Sequence, residues 1–303
     1  MAGTIRPVVP TVPNVDNGDL ATEPEAAATD LRVGAEPEVD AEPESEVEVC
    51  VLGSVDVRGT AGPFGRAGAF ELVIYLAMHP QGATTERWAT ALWPDRLPAA
   101  SSLHSTVSSA RRALGRSAAG AEHLPRGRGP LRLGQTVGSD QARLAAAAAT
   151  DDPRRWRAGL SAVRGRPFED LGASDWTVLE GHAAAVEELV VGVAARLARD
   201  RLDHGDGAGA EWAARRGLLA SPYDERLYRL LLVAADQQGN PGGMESVMAT
   251  LVGLVSGTPA TAGPPGRLLA TPGALACVHP RTAALYQALS ADRAAAGRVV
   301  ARL

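Results

Sequence analysis

A chain of 303 residues that is 45% hydrophobic and carries a formal charge of −5 has room for two domains plus tails. All 30 basic residues are Arg, and with no Lys a GxxxxGK phosphate loop, a Schiff-base lysine and a Ser/Lys dyad are excluded. There is no apolar run of membrane-spanning length and no basic-then-apolar leader, and the solitary Cys50 and Cys277 fit neither a disulfide framework nor a zinc site, so a cytoplasmic protein without a membrane span is expected.

Charge is partitioned along the chain. Residues 1–48 hold twelve acids and two Arg, residues 49–143 eleven Arg and six acids, and the remainder seventeen of each. Only the middle segment has the sign that a polyanion attracts. Residues 1–46, rich in Pro, Ala and Glu and without an aromatic, cannot offset chain entropy by burial and are expected to form a disordered acidic tail or linker.

From Glu46 to Arg58 the alternation of Val47, Val49 and Val51, resuming at Val55 and Val57 after Gly53, predicts two short strands. A first helix is expected from Arg66 to Met78, closed by His79, Pro80 and Gly82. A second runs from Thr84 or Thr85 to Trp93, where Pro94 disfavours further helix. Trp88 and Trp93 read as core of a small helical bundle.

The third helix is the most informative. Leu103, Val107, Ala110 and Leu114 fall on one apolar stripe, and His104, Ser105, Ser108, Arg111 and Arg112 on the opposite face. These are side chains suited to a DNA groove. Arg116, Arg126, Arg128 and Arg132 follow, and Gly127, Gly129 and Pro130 between Leu124 and Leu133 predict a tight hairpin, a basic wing. From Arg111 to Arg132 there are six Arg against one acid, Glu122. The alternative is an ordinary solvated helix face.

Beyond Asp140 the periodicity is helical. Leu179, Ala183, Val186, Val190, Val193 and Leu197 predict a single helix over Trp176–Leu202. Ser221 as cap and Pro222 in the first turn predict the start of another, ahead of Leu227, Leu230, Leu231 and Ala234. Met244, Met248, Leu251 and Val255 give a further stripe, and Ala283, Leu285, Tyr286 and Leu289 a last one. Gly205 and Gly239 punctuate a run of helical hairpins, and the Gly/Pro-rich stretch 257–273 is expected to be a flexible loop. The six His are scattered, with no HExxH and no pair at helical ligand spacing. Neither an enzyme, a metal site nor a cofactor is expected.

The order of Leu52–Gly53, ELVIYLAMHP, ERWATALWPD, SSLHSTVSSARRALG and a helical second half resembles the SARP group of antibiotic regulatory proteins. Within the second half, WRAGLSAVRGRPFEDL (Trp156–Leu171), the pair Asp175–Trp176 and GAEWAARRGLLASPYDERLYRLLLVAADQQGNPGG (Gly209–Gly243) are similar to the bacterial transcriptional activator domain. The resemblance spans about Val49 to Ser290. It implies a mainly α fold, with a small α+β winged helix-turn-helix over 47–143 followed by a tetratricopeptide-like domain over 144–303. It further implies a non-enzymatic activator of transcription, whose partners are double-stranded DNA and, through the helical domain, the transcription machinery or a second copy. Trp212, Arg215 and Arg216 are candidate peptide contacts. The chain departs from the family in having only Arg66 as a basic residue in helix one, and RGRGPLRL without an aromatic in the hairpin. The alternative left open is an interaction scaffold with a degenerate winged helix, the cytoplasmic end of a larger architecture.

Overall fold

The computed structural model describes residues 45–171, 175–257, 265–271 and 273–300, the side chains of Pro265, Arg267 and residues 292–300 excepted. The acidic tail expected over 1–46 lies, up to residue 44, outside the described residues. So do 258–264 and 272 of the Gly/Pro stretch.

The fold opens with the two strands that the valine alternation predicts, β1 (Val47–Cys50) and β2 (Asp56–Arg58), which pair antiparallel. A third strand, β3 (Val137–Ser139), runs parallel to β1 on its other side, giving the order β2-β1-β3. β3 is three residues long and too short to announce itself by periodicity. Three helices lie between: α1 (Ala67–Ala77), α2 (Thr85–Leu92) and α3 (Ala100–Leu114). Thr84 caps α2, its hydroxyl accepting the Arg87 N–H at 3.3 Å.

α1 is apolar nearly all round, and Leu72, Val73, Ile74, Tyr75 and Leu76 are all buried. Glu71 is its one charged residue, partly buried and bound by Trp176 Nε1, and an Arg among the buried positions would have no water to reach. Trp88 is fully buried against Trp93, ring centroids 6.2 Å apart, as core rather than as a stacking platform.

The second half contains α4 (Asp140–Ala148), α5 (Pro153–Ser161), the single-turn α6 (Trp176–Leu179), α7 (His182–Asp203), α8 (Gly207–Ala220), α9 (Glu225–Gln237), α10 (Pro241–Ser256), α11 (Pro265–Leu269) and α12 (Pro280–Val300). From α7 to α10, consecutive helices pack as antiparallel neighbours, turned by Gly205 and Gly239 at positive φ. The fold is therefore a small α+β winged helix followed by a helical domain, and α4 runs across residue 143 without a break.

Three expectations are corrected. The helix expected over Trp176–Leu202 is two, because Gly181 takes φ 76° and breaks the backbone between α6 and α7. Leu179, counted on the apolar stripe, is 78% exposed. Ser221 does not cap α9 and Pro222 lies ahead of it. The cap is Asp224, whose carboxylate accepts the Arg226 N–H at 2.8 Å and so outcompetes a neutral hydroxyl at the positive end of the helix. Part of the stretch expected to be a loop is ordered as α11, with Leu268 and Leu269 packed on the core, and a 3-10 turn over Ala274–Cys277 follows it.

The two halves are joined in two places. Arg164–Asp170, after α5, lie against the connection between β1 and β2: Arg164 N–H donates to Leu52 O (2.6 Å), Phe168 N–H to Val51 O (2.9 Å) and Val55 N–H to Glu169 O (3.1 Å). Beneath them the buried Asp140 carboxylate accepts from Val51 N–H at 2.8 Å, Leu52 N–H at 3.2 Å and the Arg164 guanidinium at 3.1 Å. Gly53 sits at φ 142° with the Arg164–Gly165 backbone against it, where an added Cβ would lie 2.9 Å from Gly165 N. The second junction packs Tyr75 of α1 and His79 just beyond its end against Trp176 and His182, with Trp176 Nε1 donating to Glu71 at 3.2 Å.

Candidate nucleic-acid interface

α3 carries its stripe as expected. Ala110 and Leu114 are buried, Val107 nearly so, and Leu103 packs on the same core, while His104, Ser105, Ser108 and Arg112 face solvent. Ser105 does not present a free hydroxyl, since its Oγ donates back to Ser101 O at 2.9 Å. The helix stops at Gly115, whose φ of 77° turns the chain towards the predicted wing.

The wing is not a ladder-paired hairpin. Residues 125–130 form an exposed loop, and its far arm pairs with the segment between α1 and α2 instead, through two 2.8 Å bonds between Ala83 and Leu131. Gly134 N–H donating to His123 O at 2.8 Å closes its base. Gly127, Gly129 and Pro130 supply the bend, but Pro130 has no N–H and the glycines have no side chains to hold a cross-strand register.

Ser108, Arg111, Arg112, Gly115, Arg116, Glu122 and Arg126 line one open groove of about 610 Å³ between α3 and this loop. Helix-face and wing residues thus meet. Arg128 and Arg132 are exposed but outside the groove lining, as are His104 and Ser105. Within the groove the arginines differ. Arg111 donates to Leu124 O (3.0 Å) and Pro125 O (3.3 Å), anchoring the loop rather than standing free. Arg116 and Arg126 both reach the Glu122 carboxylate, at 3.3 and 3.1 Å, an interaction invisible in a count of signs.

Elsewhere, Trp212 is half-buried beneath the Arg157 guanidinium, 4.2 Å from its ring centroid, with Arg216 on the same ring at 5.6 Å and Arg215 paired to Glu211. The Arg157–Trp212 contact holds α8 against α5, while the Arg215–Glu211 pair lies within α8. A cluster that no spacing rule indicates lies at the junction of the halves: His79, Glu180 and His182 bring three ligand atoms within 4.8 Å of one another. Glu180 accepts from Tyr75 O–H at 3.0 Å. Burial pushes its pKa up, but Tyr75 and His79 outweigh that and hold the carboxyl below its ordinary value.

Residues 131–245 match the family model of the bacterial transcriptional activator domain. The match begins on the far arm of the wing loop and ends in the first turns of α10. The chain thus has the make-up of a SARP-type regulator, a winged helix leading into a bacterial transcriptional activator domain. A solved structure of Mycobacterium tuberculosis EmbR in complex with a low-affinity phosphopeptide is 22% identical, with a TM-score of 0.49, covering 84% of this chain and 72% of that one. No curated protein matches the chain. Among the described residues no helix is long and apolar enough to cross a membrane.

Proposed function

We propose that the protein is a cytoplasmic, non-enzymatic transcriptional regulator that binds duplex DNA through α3 and the wing loop, and contacts a protein partner or a second copy through its helical domain, with the division of labour near residue 143. The observation that carries this reading is the groove in which Ser108, Arg111, Arg112, Arg116 and Arg126 converge. In it, Arg112 supplies the exposed charge on α3. Arg111 sets the wing at its angle, Arg116 and Arg126 exchange Glu122 for phosphate, and Arg128 and Arg132 follow the neighbouring backbone. His104, Ser105 and Ser108 lie along the exposed face that would enter a groove.

A second reading, a protein-contact module whose winged helix has lost DNA, is favoured by the same Glu122 and by the loop-bound Arg111. Salt dependence separates the two. Full-length protein titrated with a pool of genomic duplex fragments across a salt series should lose affinity steeply, and Arg112→Ala should reduce the log–log slope by about one. No binding at low salt, or a slope that Arg112→Ala leaves unchanged, would establish the module reading instead.

A further inference from the structure

The cluster at the junction of the halves poses a chemical problem that its own protons do not solve. His79 Nδ1 lies 2.7 Å from Tyr75 O. A carbonyl oxygen only accepts, so this nitrogen carries a proton and Nε2 is the atom presented to Glu180 Oε2, at 2.8 Å. His182 Nε2 lies 3.5 Å from the same oxygen, and although buried it makes no hydrogen bond. Three electron-pair donors therefore converge. One proton between His79 and Glu180 satisfies two of them and leaves His182 unpartnered.

We infer that His79 Nε2, Glu180 Oε2 and His182 Nε2 bind a divalent transition-metal ion of the zinc type, which fastens the end of α1 to the start of α7. Two imidazoles and a carboxylate form a donor set that zinc accepts, with a fourth position left for water. Metal–ligand bonds of about 2.0–2.2 Å place neighbouring ligand atoms roughly 3.3 Å apart, between the two spacings seen here. The surroundings are those of a metal site as well. The other nitrogen of His79 is fixed by a backbone carbonyl and the other oxygen of Glu180 by the Tyr75 hydroxyl, an outer layer that sets tautomer and orientation. Arg87, 3.5 Å from Glu180 Oε2, competes for that oxygen, but its side chain is more than half exposed and free to withdraw. No zinc-finger or helical spacing could have pointed here, because His79 and Glu180 are 101 residues apart in sequence.

The test uses the full-length chain freed of metal with a chelator. It is titrated with zinc chloride by calorimetry and with cobalt(II) by visible absorption, beside His182→Ala, Glu180→Gln and Tyr75→Phe. Wild type should bind one ion per chain, with the intense visible bands of four-coordinate cobalt and a melting temperature that rises with zinc. His182→Ala should lose the ion at concentrations that saturate wild type. It also loses the ring packed on Trp176 and so melts lower without metal, and zinc should leave its melting temperature unchanged where it raises that of wild type. Glu180→Gln, which keeps an oxygen for Tyr75, should also lose the ion, and Tyr75→Phe should weaken it about 10–100-fold. Absence of zinc binding by wild type, or one-ion binding that survives in His182→Ala, would overturn the assignment and leave His79 and Glu180 as a proton-bridged pair.

Discussion

Asp140 shows how much one side chain can organise. It starts α4, yet its carboxylate points back into the sheet end and accepts two N–H groups of the β1–β2 connection as well as the Arg164 guanidinium. Burial raises its pKa, and the three donors only partly oppose that. What the site needs is thus acceptors more than charge. Asp140→Ala strands two buried N–H groups and should cost about 2–4 kcal/mol. Asp140→Asn keeps one carbonyl acceptor and should cost less. Urea midpoints of the two variants check the order, and equal losses would mean that charge, not hydrogen bonding, is what Asp140 supplies.

Between elements, the best-defined polar tie on the helical domain is Arg226. Its guanidinium grips Glu188 of α7 with two bonds of 2.9 and 2.8 Å, and reaches Asp224, the cap of α9. The bond from Arg226 holds Glu188 below its ordinary pKa. At Asp224 burial pushes upward, but the bonds from Arg226 outweigh it, and the net shift is again down. A carboxyl whose pKa is lower folded than unfolded stabilises above the ordinary carboxylate range and loses that contribution as pH falls through it. Arg226→Ala should therefore cost about 1 kcal/mol at pH 7, discounted for exposure. The gap from wild type should close towards pH 3, as thermal melts at both pH values would show; a constant gap would assign the loss to packing of the arginine stem.

What the sequence made legible at this scale follows from period and length. α3 and the stripes of α7, α9 and α10 could be read because each repeats its apolar residues over several turns, and α1 and α2 from the residues that bound them. β3, the break at Gly181 and the unpaired wing could not. A three-residue strand has no period, a glycine is compatible with a helix or a turn, and register depends on partners far along the chain. Of the interface, the face of α3 was legible. The capture of Arg111 by Leu124 and Pro125, and of Arg116 and Arg126 by Glu122, were not, because they depend on where the loop folds back.

At the scale of the whole molecule the described residues share one hydrophobic core, from Val47 in the sheet to Val278 near α12. Trp88 and Trp93 report on the winged helix, and Trp156, Trp176 and Trp212 on the helical domain. A continuous core predicts that full-length protein unfolds with tryptophan fluorescence and far-ultraviolet circular dichroism tracing the same transition in denaturant. Two separated transitions would show that the halves are thermodynamically independent despite their contact.

The junction at Gly53 also bears on synthesis. Its partners lie more than a hundred residues downstream, with Ser54 bound to Asp170 across 116 positions and to Arg164 across 110. A chain emerging from the ribosome must close that long loop before the connection after β1 is covered. Until Phe168 and Glu169 have left the exit tunnel, the nascent winged helix carries an open flank, with Val51 O and Leu52 O waiting for amide groups that have not yet been made. Translation thus supplies the winged helix first but finishes it only when the helical domain arrives.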